Sequence, residues 1–219
     1  MKQLFEGIYS NGKNIYTKNL LPGKRVYGEN LIKDQQNPKI EYREWNPHRS
    51  KYCAGLKKGL AKNIFFLGAN VLYLGSAEGT TVSHVSDIVG EEGSVLCIDI
   101  SEIAMMKLNS LAEERANILP IVSDAQQTQN YSEIIKEATK GNGVEALFQD
   151  ISQRNQAEIF VRNAQFLKHG GLGAITIKTK NISQSEKKEK ILEKEFEILQ
   201  VVDLEPYEKE HYLILCKKK

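Results

Sequence analysis

The apolar run Val71-Leu72-Tyr73-Leu74 stops at Gly75, turns through Gly79 and enters a segment opened by Thr80 and Thr81. A strand, a glycine-bounded turn and a helix started by hydroxyl residues make the first β-loop-α unit of a Rossmann-like sheet. Such a turn brings bare backbone N–H groups up against a nucleotide-like ligand. The next apolar run, Ser94 to Ile98, is closed by Asp99. That carboxylate stands about twenty residues past Gly79, where it can accept hydrogen bonds from a ribose diol. The loop reads G-x-x-x-G and not G-x-G-x-x-G. This weakens a dinucleotide reading and leaves room for S-adenosylmethionine.

From Asn70 onward strand and helix alternate. Strands are predicted at 70–74, 94–99, 118–122, 144–149, 171–180, 198–204 and 211–217, with helices at 80–89, 102–115, 131–139, 154–168 and 186–196. Alternation at this spacing implies parallel βαβ units in an open, doubly wound α/β sheet. Glu205 to Glu210 is too short for a crossover helix, so the last two strands form an antiparallel hairpin. Six parallel strands and one reversed strand is the Class I methyltransferase arrangement, and dehydrogenases normally lack that reversed strand. Upstream, short strands are predicted at Phe5–Tyr9, Asn14–Thr17, Arg25–Leu31 and Ile40–Glu44, punctuated by Asn11-Gly12 and Pro22-Gly23. They hold too little apolar surface to stand alone and should pack on the larger α/β sheet. A helix is predicted from Pro47 to Leu60. The chain thus divides into a small β-domain, 1–48, and a Rossmann-like domain, 49–219.

Composition narrows the setting. No apolar run approaches a membrane span and residues 1–30 lack a secretory core, which points to the cytoplasm and away from a membrane. Cys53, Cys97 and Cys216 are too few and scattered for a disulfide framework or a metal site. Residues 1–62 carry 13 Lys/Arg against 5 Asp/Glu, whereas the whole chain nets only +2. A basic segment on a slightly acidic domain suggests a polyanion held on one side, against the blander reading of a solvated lysine-rich surface.

Ligands of open α/β sheets sit outside the carboxyl ends of the parallel strands. Asp150 follows one such end and Lys178 another, on strands expected to be neighbours about 5 Å apart. His211 opens the reversed strand at the same rim, and Lys51 on the preceding helix can join them. Each has a plainer reading: Asp150 as a helix cap, Lys178 and Lys51 as surface charges, His211 as a structural histidine. Their joint placement favours a site. His84 reads as packing, and His48 and His169 carry no signal.

Four stretches together resemble fibrillarin: Leu74-Gly75-x-Ala77-x-Gly79-Thr80-Thr81-Val82-Ser83-His84-Val85-Ser86-Asp87, Trp45-Asn46-Pro47-x-Arg49-Ser50-Lys51, Gln149-Asp150-Ile151-x-Gln153-x-Asn155-Gln156-Ala157-Glu158 and Leu204-Glu205-Pro206-Tyr207-Glu208-Lys209-x-His211. The likeness runs from about residue 5 to the C-terminus and, without a Gly/Arg-rich N-terminal region, is to the short archaeal form. It implies S-adenosylmethionine-dependent 2′-O-methylation of rRNA, and of tRNA, guided by box C/D RNA. It also implies a Nop-type scaffold protein and a kink-turn-binding, ribosomal-protein-like component as partners. A cytoplasmic location follows for an archaeal protein, a nucleolar one for a eukaryotic protein. The family's catalytic set falls on Lys51, Asp150, Lys178 and His211. Its cofactor contacts fall on Gly75, Ser76, Ala77, Gly79, Thr80, Thr81, Asp99, Ile100, Asp124, Ala125, Asp150, Ile151, Ser152 and Gln153. Asp99 stands where the family usually has Glu, Ser123 where it has an acidic residue, and Gln126 and Lys180 where it has Arg.

In that frame a Lys178 made neutral by burial and a cationic neighbour such as Lys51 can accept the 2′-hydroxyl proton, Asp150 steers the methyl group and holds Lys178, and His211 orients the pair or relays the proton. The resemblance fixes these residues but not which of them takes the proton. Three rivals remain: a glutamine-directed protein methyltransferase, a catalytically silent assembly subunit, and a nicotinamide-dependent dehydrogenase. The intact Lys/Asp/Lys/His set argues against silence, and the G-x-x-x-G loop against the dehydrogenase.

Overall fold

The computed structural model describes residues 1–179 and 182–219, so the strand end expected at Lys180, and the departure at that residue, lie outside the described residues. Five short strands come first: β1 (Lys2–Phe5), β2 (Ile8–Ser10), β3 (Ile15–Lys18), β4 (Leu31–Lys33) and β5 (Glu41–Trp45). They form an antiparallel sheet of order β1-β2-β3-β5-β4. Two expectations fail here. The run Phe5–Tyr9 is not one strand but a tight turn, with Gly7 at φ 73° against Ile88, where a Cβ would lie 3.0 Å from Ile88 Cγ2. Arg25–Leu31 is not a strand either, because the Glu29 carboxylate accepts the N–H groups of Val26 and Tyr27 and curls that segment.

The helix expected over 47–60 is only α1 (Lys51–Lys57), capped by Ser50 Oγ, which accepts from the Cys53 N–H at 3.2 Å. Beyond it come β6 (Asn70–Leu74), α2 (Thr80–Val89), β7 (Ser94–Asp99), α3 (Glu102–Glu114), β8 (Ile118–Val122), α4 (Ser132–Ala138), β9 (Val144–Gln149), α5 (Gln156–Asn163), β10 (Leu167–Lys178), α6 (Ile182–Leu192), β11 (Phe196–Asp203) and β12 (His211–Lys218). The seven-stranded sheet has the order β11-β12-β10-β9-β6-β7-β8. Only β12 runs against its neighbours, as the short 205–210 link requires. The helix expected over 154–168 is cut short: α5 ends in a 3-10 turn, Ala164–Phe166, and Leu167 already pairs with Val144. The β9–β10 ladder shifts register between Leu167 and Leu172, which takes up Gly170 and Gly171. All three cysteines are buried and free.

Strand alternation sorts the side chains onto two faces. One face, with Tyr73, Phe148, Ala174 and Leu213, packs in a single apolar cluster with Ile8, Ile15 and Trp45 of the first sheet and Val82 and Val85 of α2. The other face, with Leu72, Leu147, Ile175 and Ile214, packs against Ala157 and Phe160 of α5.

Between the first sheet and α2 lies a buried ionic network. Asp87 Oδ2 accepts from Arg43 Nη1 at 2.8 Å and Asp87 Oδ1 from Arg115 Nη1 at 2.7 Å, while Arg43 Nε donates to Glu29 Oε1 at 2.7 Å. Burial alone would raise the Glu29 carboxyl, but Arg43 and the surrounding backbone N–H groups hold it below its usual value. His84 completes the layer, fully buried and stacked on Trp45 at 4.9 Å. Thr17 Oγ1 donates to Asp87 Oδ2 and lies 2.8 Å from His84 Nδ1, and the Tyr27 hydroxyl, which also reaches the Glu44 carbonyl oxygen at 2.9 Å, lies 2.7 Å from Nε2. Burial first, then Arg43 and Arg115, push the imidazole well below its ordinary value of 6.5.

The unfolded chain therefore binds a proton near pH 6.5 that the folded chain refuses. This contribution to stability is complete above pH 6.5 and is lost as pH falls. Imidazole NMR is expected to show His84 neutral in the folded protein at pH 5.5, and a titration midpoint near 6.5 would contradict the network.

Candidate active site

Gly75 follows β6 at φ 83°, and a Cβ there would lie 2.3 Å from the Asp150 backbone oxygen. Only glycine lets the first loop close on the end of β9. Gly79 has φ 92°, and its Cβ would meet Leu108 and Leu111 at 2.7 and 2.8 Å. Between them Ala77 holds φ 47°, fixed by its N–H donating to Asp99 Oδ2 at 2.8 Å. The other oxygen, Oδ1, accepts from the Ser101 N–H at 2.9 Å. Two backbone donors thus orient a half-buried carboxylate whose remaining lone pairs are available to a diol.

Gly75, Ala77, Asp99, Ile100, Ala125, Asp150, Ile151, Ser152 and Gln153 line a cleft of about 320 Å³, with Ile98 and Ser123 added to its wall. That volume lies within the roughly 300–1,000 Å³ of small-molecule sites. Apolar walls for a flat ring and an oriented carboxylate for a diol fit the adenosine half of S-adenosylmethionine. Five of the sequence-derived cofactor residues do not line the cleft: Ser76, Gly79, Thr80, Thr81 and Asp124. Ser76 is buried with its hydroxyl toward Met105 Sδ, and Thr81 Oγ1 donates to Ser50 Oγ at 3.0 Å, tying α2 to α1. Asp124 shapes its own turn by accepting the Gln126 N–H at 2.9 Å. Gln126, one of the two positions where the family has Arg, works as a neutral bridge here: Nε2 donates to Gln153 Oε1 and Oε1 accepts from Asn155. A second concavity of about 370 Å³, around Ile135, Gly143 and Phe166, opens at the start of β9, the strand end that open α/β sheets leave without ligand.

At the mouth of the cleft Asp150 is held from both sides. Lys51 Nζ donates to Oδ2 at 3.1 Å and Thr176 Oγ1 donates to Oδ1 at 2.7 Å. Asp150 is therefore not the cap of α5, whose N-cap is Asn155. Lys51 also lies 3.6 Å from Glu208 Oε1.

The strands are neighbours as expected, but the registered neighbour differs. Ile175 pairs with Gln149, so Thr176 stands level with Asp150, and Lys178 is two residues, about 6–7 Å, further along β10. Lys178 instead pairs across the sheet with His211. Thr176, Lys178 and His211 share one face, the face on which Gly55 of α1 packs against Leu213. Lys178 is exposed and, among the described residues, its amine has no hydrogen-bond or ion-pair partner; the expected hold by Asp150 is not made, because Lys51 and Thr176 take the two Asp150 oxygens. His211 Nδ1 lies 2.7 Å from the Lys209 carbonyl oxygen, which makes Nδ1 the protonated nitrogen and leaves Nε2 for another partner. His48, silent in the sequence, packs its ring on Tyr207 at 5.1 Å beside this cluster.

The fibrillarin family model matches residues 1–219. The chain belongs to the fibrillarin family. It is 42% identical to the fibrillarin-like rRNA/tRNA 2′-O-methyltransferase of Pyrococcus furiosus, over 99% of this chain and 97% of that one. It is also similar to the crystal structure of Aeropyrum pernix fibrillarin with natively bound S-adenosyl-L-methionine, at 38% identity and a TM-score of 0.85, covering 93% and 88% of the two chains. Against a fibrillarin in complex with Nop5p the identity is 33% and the TM-score 0.85, with both chains fully covered. Fibrillarin membership gives the Gly75 loop and the Lys51–Asp150–Thr176 contacts a common context. Thr176 and Glu208 were missed as site residues. The spacing of Thr176 from Lys178 on one strand face was the available signal for the former, and Glu208 stands inside the motif that ends at His211.

Proposed function

We propose that this fibrillarin-family chain transfers the methyl group of S-adenosylmethionine to the 2′-oxygen of ribose in rRNA and tRNA, at nucleotides selected by a box C/D guide RNA. The observation that carries the reading is the Lys51–Asp150–Thr176 arrangement, with Lys178 and His211 on the same face, at the mouth of the cleft bounded by Gly75 and Asp99. The cofactor supplies an already activated methyl group. The protein's task is then to place the 2′-oxygen in line and to manage one proton.

Asp150 is the group assigned to orient the reacting centre, since both its oxygens are fixed by donors. Lys178 is exposed in the free chain, so it is assigned the hydroxyl proton on condition that bound RNA buries its amine, and His211, directly across from it, orients or relays. Glu208 balances the charge of Lys51 and keeps that ammonium between two carboxylates. For the cofactor, Asp99 is assigned the ribose diol, and Ile98, Ile100, Ala125 and Ile151 the adenine ring.

Asp99→Ala is expected to weaken S-adenosylmethionine binding by about 1.5–3 kcal/mol in calorimetry, the cost of losing hydrogen bonds to a charged acceptor. NAD binding more tightly than S-adenosylmethionine would remove this assignment.

A Nop-type scaffold protein is the partner best supported, because a 33%-identical relative forms a complex with Nop5p. Guide RNA and a kink-turn-binding protein complete the proposed particle. The basic excess of residues 1–62 is less outward than its count implies. Arg43 is buried, Lys24 pairs with Glu114 at 2.9 Å, and Arg49 lies over the Tyr27 ring. Partners are therefore assigned most of the RNA affinity. The archaeal source of the relatives favours a cytoplasmic particle over a nucleolar one. The test is labelled methyl transfer to RNA by the reconstituted particle. Transfer to the guide-matched nucleotide only when the guide is present is expected, and equal transfer without any guide would contradict guidance.

A further inference from the structure

We infer that Gln156 is a positioning residue that sets the distance between Asp150 and Lys178 from beneath the sheet. The inference rests on the proposed role of Lys178. The motif around Asp150 ends in Asn155-Gln156-Ala157-Glu158, and none of these four lines the cofactor cleft. Gln156 opens α5 and is buried, at 4% exposure. A buried amide with four hydrogen-bonding positions needs partners for them.

Its partners come from both strand ends. Nε2 donates to the Ile151 carbonyl oxygen at 2.5 Å, one residue past Asp150, and to the Thr176 carbonyl oxygen at 3.3 Å. Oε1 accepts from the Lys178 backbone N–H at 3.3 Å and from Lys188 Nζ at 2.8 Å. The Gln156 backbone oxygen in turn accepts from Gln149 Nε2 at 2.7 Å, so the clamp also holds the last residue of β9. Lys188 closes it from α6 by donating to the Lys178 carbonyl oxygen at 3.0 Å.

The β9–β10 ladder pairs residues only as far as Gln149 and Ile175. Beyond that pair the ladder stops, and it is there that Asp150 and Lys178 stand. The Gln156 amide spans this gap. α5 packs on the face opposite the one that carries Thr176, Lys178 and His211. Gln156 therefore never touches substrate; it fixes the backbone from which the two side chains project. A displacement of about 1 Å in a reacting group can cost on the order of a hundredfold in rate.

The experiment is single-turnover methyl transfer by the reconstituted particle with Gln156→Met, which keeps length and volume but removes all four hydrogen bonds. The chemical step is expected to slow by roughly thirtyfold. The KM for RNA should stay within about twofold, and Gln156→Met combined with Lys178→Ala should fall well short of the product of the two single effects, because part of the loss acts through Lys178. A merely structural glutamine would instead act fully additively with Lys178→Ala, and that result overturns the inference. Should Gln156→Met fail to fold, Lys188→Met serves in its place: a three- to fivefold slower chemical step supports the clamp, and the wild-type rate overturns it. Wild-type transfer by Lys178→Ala would overturn the role assigned to Lys178 itself, and the inference with it.

Discussion

Lys178→Ala is expected to leave S-adenosylmethionine affinity nearly unchanged and to slow methyl transfer at least about a hundredfold, the low end for a removed acid-base group. The separation comes from where Lys178 stands. It is two residues beyond the level of Asp150 and does not line the cleft bounded by Gly75, Asp99 and Ile151. A residue outside the cofactor cleft but on the face of Thr176 and His211 can act on the acceptor without holding the donor. Asp150→Ala should disturb both, because Asp150 lines the cleft and also holds Lys51. Calorimetry on the free protein and single-turnover transfer in the particle read the two effects apart. Wild-type transfer by Lys178→Ala would remove it from the chemistry.

Asp87→Asn is expected to cost about 3–5 kcal/mol of folding stability without touching the site chemistry, the usual effect of breaking a buried ion pair. The network balances two cations, Arg43 and Arg115, against Asp87 and Glu29, all four with side chains at most 1% exposed. Asp87 accepts four hydrogen bonds, from Thr17, Leu20, Arg43 and Arg115. Asparagine would turn one acceptor oxygen into a donor facing an arginine and leave a net positive charge in the interior. Against a typical 5–15 kcal/mol of total stability this is a large loss. Urea unfolding measures it. A change below about 1 kcal/mol would mean that the network is solvated and contributes like a surface pair.

The contrast between these two regions explains what could be read from the chain. The seven-stranded sheet was legible because β6, β7 and β9 are apolar runs bounded by glycine or an acidic residue, and because the 205–210 link is too short for anything but a reversal. The Gly75 loop was legible because its glycines answer to local backbone geometry. Thr176 and Gln156 were not, since both act through the register of β9 against β10, and single-residue register is invisible to periodicity. The first sheet misled for another reason. Glu29 and Arg43 both fall in segments predicted as strands, yet Glu29 curls its own and Arg43 is fully buried. Charged residues are buried so seldom that composition alone assigns them to the surface. Asp150 and Lys178 were correctly assigned to adjacent strands, while the partner of each at its own level, Thr176 and His211, emerged only from the ladders.

The central claim is that this site methylates a ribose 2′-oxygen, and one substrate tests it. The reconstituted particle is given a guide-matched RNA carrying a single 2′-deoxy nucleotide at the target position, and labelled methyl transfer is followed to completion. Complete loss of transfer, with the all-ribose RNA methylated at that nucleotide alone, is the result predicted. Undiminished transfer to the 2′-deoxy RNA, or label appearing in protein instead, would contradict the account.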